Sequence, residues 1–484
     1  MTDMKEQGIM AGNAQGTGRS AVTTAGKQGK VNGSQATATK SVVKRTLTTK
    51  DLIVFGMIFM VPIAPFSIIA SVASVSHGMP AIAYLIAMVA MLFTALSFGM
   101  MVPLFPSSGS IYIYASHEMN DGVGFIVGWL MILQYLITPA IMLLMAANAL
   151  HEYLPHVPVW AWCVGFLVII TAIAMRGMGA TVLVDKLALA AELIVLALFF
   201  VFGVIYVCRH PQIAHFSGTA FFNPAKFDMG AMMSAVSLCA LSYVGFGSIV
   251  TLDDQCVRPK KAPGKAMIII VLILGFLYMS MSFLTMCMDP SGNILQANQN
   301  SGFYEVAGLA GKWLGVVCAV ANALALGLFT SLSGMTAISS LMYTMAVDGG
   351  LPKFLTKFDK KTNVPVGATL FTAIVNLVLI FVFIFMGQNT AAKVSNFGAL
   401  STYCMLNIVV IWGLGIKARG YRGRSFWRTI LCPLIGAIVT FVIFVSLGWT
   451  VWIVGLIWTA LGIVYYLVWT KGMHRTMDLE RKVA

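Results

Sequence analysis

Runs of about twenty apolar residues recur along the chain, parted by short polar or basic links. They fall at residues 52–76, 81–104, 123–150, 158–175, 183–207, 229–252, 266–287, 313–345, 366–386, 394–416, 429–447 and 450–470, here called segments 1 to 12. At a rise of about 1.5 Å per residue, twenty helical residues cross a hydrocarbon core about 30 Å thick. The pattern predicts an all-α integral membrane protein with twelve transmembrane helices. A β-barrel needs alternating stretches of about ten residues, and none occurs. Residues 1–50 are rich in Gly, Ala, Thr and Ser with scattered Lys and Arg, and have no apolar run. They are expected to form a disordered tail without a cleavable signal peptide. Residues 51–416 would form a core of ten spans, 417–471 two further spans, and 472–484 a second tail.

Composition sharpens this. Of 484 residues, 59% are hydrophobic and 10% charged, and the net charge is +14. Twenty-seven of the 31 Lys and Arg fall in the tails and in the links after segments 4, 6, 8 and 10, or beside them. The opposite links hold only Arg209, Lys226, Lys312 and Lys393. Basic residues are retained on the cytoplasmic side, so the excess sets topology, with both termini cytoplasmic, and nucleic-acid binding is set aside. The eight cysteines are scattered, without a CxxC pair, and read as small apolar filler. "GVGFIVG" (Gly122–Gly128) opens an apolar segment instead of following a strand, so it is no dinucleotide motif. No catalytic constellation, metal site or cofactor site emerges, and an enzyme is not expected.

Two segments are interrupted. Segment 1 contains "MVPIAPF", where Pro62 and Pro65 each remove an amide and clash with the preceding turn. Segment 6 contains "LSYVGFGS", with Gly245 and Gly247 among polar and aromatic residues. If segments 1–5 and 6–10 are two halves, the interruptions occupy matching positions. That is the sequence signature of a transporter built from inverted repeats, with its site at the midplane. Val61, Pro62, Ile63, Ala64 and Pro65 in the first break would line that site. So would Ser242, Tyr243, Val244, Gly245, Phe246 and Gly247 in the second.

"FPSSGSIYIYASHEMNDGVGFIVGW", "SYVGFGSIVTLDDQCVRPKKAPGKA", "LMYTMAVDGGLPKFL" and "VSNFGALSTYCMLNIVVI" resemble stretches of the amino acid–polyamine–organocation superfamily. The resemblance covers about residues 45–470. "NFGAL" and "GLIWTALGIVYYL" look most like the bacterial putrescine importers among its members. It implies a LeuT-like fold, with segments 1–5 and 6–10 as inverted repeats and segments 11 and 12 peripheral. It also implies secondary transport of a small amine or amino acid, with protons or by exchange. Segments 3, 8 and 10 would help hold the substrate, and Gln134, Tyr135, Asn396 and Tyr403 are the candidates, with Asn322 as a buried polar candidate.

The chain departs from the family pattern in three ways. Amino acid carriers often break segment 1 with Gly-Ser-Gly, whose amides hold the substrate carboxylate. Here the prolines leave donors only at residues such as Val61, Ile63, Ala64 and Phe66. Putrescine importers carry acids at the positions matching Ser67, Gln134 and Gly247, and this chain has none there. A dication is costly to bury without carboxylates, so a monoamine, a neutral amino acid or another small amide-bearing solute fits better, with a polyamine as the named alternative. Finally, Glu192 lies about ten residues into segment 5, where sodium-independent relatives often carry a lysine. It is about 15 Å deep and reads as a proton-coupling residue, a cation ligand or a neutral structural acid. Asp253 and Asp254 match the acidic pair after segment 6 and are candidate gate residues. A sensor that keeps the fold without transporting is the rival of another class.

Overall fold

A computed structural model describes residues 47–105, 111–177, 181–247, 249–250, 256–257, 261–417 and 426–469. Among these, eleven helices are long and apolar enough to cross a membrane. Segment 1 begins at a capping box: Thr48 Oγ1 accepts the Asp51 amide, and the Asp51 carboxylate accepts the Thr48 amide at 2.8 Å. Asn120 caps the 31-residue helix of segment 3 by accepting the Val123 amide at 2.9 Å. That helix, Asp121–His151, is enclosed along nearly its whole length and forms the axis of the bundle.

Segment 6 is the short one. It is helical over Met229–Cys239, tightens to a 3-10 turn over Ala240–Tyr243, and then stops. There the helix breaks: Val244 is extended and Gly245 takes φ +122°, and a 3-10 turn follows at residues 246–247. Segment 1 stops likewise. It is helical over Thr49–Met60, turns at Val61, passes a 3-10 turn over Ala64–Ser67, and resumes over Ile69–Val75. Segment 8 stays helical but widens to a π-helix over Ala325–Thr330, a form that often marks functional positions.

Segments 2 (Pro80–Met101) and 7 (Ala262–Met288) make the most extensive helix pairing. They can because Gly99 and Gly264 face each other: a Cβ on Gly264 would lie 2.8 Å from the Gly99 Cα. Segment 12 (Trp449–Trp469) is fastened to segment 3 by a reciprocal clasp. The Trp129 indole donates to the Trp458 carbonyl at 2.8 Å, and the Trp458 indole donates to the Trp129 carbonyl at 3.0 Å. The outward faces of the late segments are apolar, with Phe385, Trp449 and Val468 all more than 70% exposed. Such faces suit lipid, where backbone polar groups are satisfied within the helices.

Candidate functional site

The two breaks meet. Gly245 lies against the end of the first half-helix, where an added Cβ would come within 3.0 Å of the Phe59 carbonyl oxygen. Above them stands Tyr278 of segment 7. Its hydroxyl lies 2.8 Å from the Met60 carbonyl, 3.1 Å from that of Val61 and 3.3 Å from that of Ser242. One proton therefore serves carbonyls freed by both breaks. Tyr84 and Tyr243 complete the cluster. The Tyr243 hydroxyl donates to the Tyr84 carbonyl at 3.1 Å, and the Tyr84 and Ser242 hydroxyls share a hydrogen bond of 3.2 Å.

The backbone at the first break is largely spent. The Val61 amide donates to Met57, Ala64 to Val61 and Phe66 to Ile63, at 2.9, 3.0 and 3.0 Å. Of the four expected donors, only Ile63 keeps an amide free of such a bond among the described residues. Val61 itself sits at φ 53° and ψ 102°, outside the helical region that Pro62 disfavours in the residue before it. The break therefore presents carbonyl oxygens far more than amides.

Segment 10 (helical over Gln388–Val410) runs a ladder of side chains down segment 6. Lys393 Nζ donates to Ser234 Oγ at 2.8 Å, and one turn on Asn396 Nδ2 donates to the Ser237 carbonyl at 2.6 Å. Two turns further, the Tyr403 ring packs on Phe246 at 5.5 Å and edge-on to Phe98 at 6.5 Å. Gln134 bonds Tyr403 from segment 3. Segment 3 is held close there because Gly398 lets the Leu130 carbonyl approach to 2.7 Å of where a Cβ would stand. Tyr135 is half-buried beside Gln134, and Gly247 packs against the Phe98 ring. The Asn396 Oδ1 has no hydrogen-bond partner.

A second set of polar groups lies toward the Val75 end of segment 1. Asn322 Nδ2 donates to Ser67 Oγ and to the Tyr304 hydroxyl, at 2.5 and 2.6 Å. Gln388 Nε2 donates to the Ser67 carbonyl at 2.9 Å and is held by Asn148 at 2.7 Å. These amides and hydroxyls tie segments 1, 3, 8 and 10 with no charge. Asn148, Gln388, Tyr304, Tyr84 and Tyr278 are not among the sequence candidates. A buried phenol in a membrane segment must find an acceptor, and that was the available signal.

Between the breaks and segments 3 and 8 is a cavity of about 10 Å³, room for one water. Ala64, Ile68, Met142, Met145, Leu241 and Leu326 line it, and Ser242 is its only polar side chain. Ala64 and Ser242 are thus the sequence candidates that reach it. The others surround it as break backbone or as the ladder. Glu192 of segment 5 is 5% exposed, its Oε2 lacks a hydrogen-bond partner, and it lies within electrostatic range of the Tyr278 hydroxyl. Asp253 and Asp254 lie outside the described residues.

Comparisons with known proteins point to transport. The chain is 25% identical to the low-affinity putrescine importer PlaP of Escherichia coli (strain K12), over 91% of its own length and 97% of that protein. It is 23% identical to the branched-chain amino acid permease BcaP of Bacillus subtilis (strain 168), covering 90% of this chain and 95% of that one. It is 24% identical to the methylthioribose transporter of the same organism, covering 88% and 94%. These relatives differ in what they carry, so similarity alone does not choose a substrate. Residues 50–473 match the amino acid permease family, and the chain belongs to that family.

Proposed function

We propose that this permease is a secondary active transporter that moves a small amine or amino acid across the cytoplasmic membrane by alternating access. It crosses the membrane twelve times, with segments 1–5 and 6–10 as inverted repeats and both termini cytoplasmic. The observation that carries the reading is Tyr278, one hydroxyl shared by carbonyls of both breaks. Joined half-helices at the midplane are where such transporters hold their solutes. The pairing of segment 2 with segment 7, equivalent members of the two halves, supports the repeat. The bias of basic residues supports the orientation.

The carbonyl-rich breaks favour an ammonium, and the apolar side chains beside them favour a hydrocarbon group over a second charge. Glu192 is the coupling acid. It is buried, its Oε2 is unpartnered, and it lies within electrostatic range of the phenol that holds the breaks together. Asp253 and Asp254 are gate residues on the cytoplasmic side. Polyamine import is the second reading, favoured by similarity to the putrescine importer.

Purified protein screened by thermal shift against amino acids, monoamines and polyamines tests the substrate class. Stabilisation by putrescine alone overturns the preference for a singly charged amine. Glu192→Gln in proteoliposomes is expected to abolish proton-driven accumulation and to spare exchange. Undiminished pH-dependent uptake by that variant sinks the coupling role, and ligand binding without any flux in the wild type makes the protein a sensor.

A further inference from the structure

Lys393 is one of the four basic residues that the sequence pattern assigns to the links opposite the tails, and it stands in the second turn of the segment 10 helix, which begins at Gln388. It is half-buried and donates to a neutral hydroxyl, Ser234 Oγ, at 2.8 Å. Among the described residues no carboxylate lies within ion-pair distance of it. A neutral hydroxyl does not cancel the charge of the ammonium it accepts from, so the field of Lys393 reaches beyond the bond. Its place is specific. Asn396, one turn deeper, makes the next rung to segment 6, and Tyr403 with Phe246 makes the one below. Lys393 therefore heads the ladder that descends beside the breaks.

We propose that Lys393 is the charge selector of this permease: it attracts the carboxylate of an entering amino acid and repels a diamine. This rests on the transporter reading above and deepens it by naming the substrate class. The reasoning is electrostatic. A solute that passes between segments 6 and 10 meets the Lys393 charge in a poorly hydrated setting, where like charges repel far more strongly than in water. A diamine carries two positive charges past it. A zwitterion carries one and brings a carboxylate to the same ammonium, and the first break has almost no amides left for that carboxylate. The ammonium of the zwitterion then reaches the carbonyls at the breaks, and its side chain meets the apolar residues Ala64, Ile68 and Leu241 beside them.

The test compares Kd for leucine and for putrescine on purified protein, with uptake of each in proteoliposomes. The wild type is expected to favour leucine, and Lys393→Glu to shift the ratio toward putrescine by about tenfold or more. Lys393→Arg keeps the charge and is expected to keep the wild-type ratio. Ser234→Ala removes the hydrogen bond but not the charge, and is expected to leave the ratio unmoved. An unchanged ratio in Lys393→Glu, or a lost preference in Lys393→Arg, overturns the proposal, as does a shift in Ser234→Ala as large as that in Lys393→Glu. If the wild type binds leucine without moving it, the transporter reading fails while the binding ratios still judge Lys393. Binding of neither probe overturns both.

Discussion

The two breaks do the same job by opposite chemistry. In segment 1 prolines open the helix by removing donors and forcing Val61 out of helical geometry. In segment 6 a glycine opens it by taking a conformation closed to other residues, at φ +122°. The proline break is strained and leaves surplus carbonyls. The glycine break is unstrained but depends on having no side chain, because the Phe59 carbonyl occupies that space. Tyr278 connects them by giving its proton to either side. The first break supplies acceptors, the second supplies closeness, and neither alone makes a site.

The severest disruption is expected at the glycine. Gly245→Val places a branched side chain against the Phe59 carbonyl in a backbone conformation it does not tolerate. The expected cost is about 3 kcal/mol or more, read as a lowered Tm in detergent together with loss of uptake. Uptake at the wild-type rate by a stable Gly245→Val protein would show that the half-helices need not touch. Tyr278→Phe comes next. It keeps the ring, packed against Tyr84 and Tyr243, and removes only the proton. Carbonyls at both breaks then lose their buried donor, for an expected cost of about 1–3 kcal/mol. In Gly245→Val the same Tyr278→Phe change is expected to cost less, because the breaks are already apart. Strict additivity of the two would mean that Tyr278 braces each break independently.

Much of this was legible along the chain, for a simple reason. Apolar runs of membrane length and the residues that break helices are both local features. The runs, their basic flanks and the positions of Pro62, Pro65 and Gly245 are therefore visible without a structure. What binds the breaks together is not local. Tyr278 sits in an apolar run where a tyrosine reads as packing, and only the fold brings Met60 and Ser242 beneath it. Segment 10 begins at Gln388, earlier than its apolar run, because the Gln388 amide is polar by type yet fully engaged with Ser67 and Asn148. Segment 6 errs the other way: its apolar run passes residues 244 and 245 unmarked, because hydropathy does not register the break that Gly245 makes. The single-water cavity is likewise invisible to pattern, since Met142, Met145 and Leu326 look like any core residues.

The smallest effect separates strain from opening at the first break. Val61→Gly keeps Pro62, and so keeps the helix open, while relieving a β-branched residue held at φ 53°. The gain is offset in part by the greater freedom of glycine in the unfolded chain, so stability is expected to rise by about 1 kcal/mol or less. Pro62→Ala does the converse. It restores an amide and lets Val61 return to helical geometry, which pulls the Met60 and Val61 carbonyls away from Tyr278. If the break matters because it is open, Val61→Gly transports normally and Pro62→Ala loses uptake even where its Tm is unchanged or higher. If the strain itself drives the transport cycle, the order reverses, and the glycine variant is the slow one. Uptake rates set beside the two Tm values decide between them, because a loss of activity at equal or greater stability cannot be charged to misfolding.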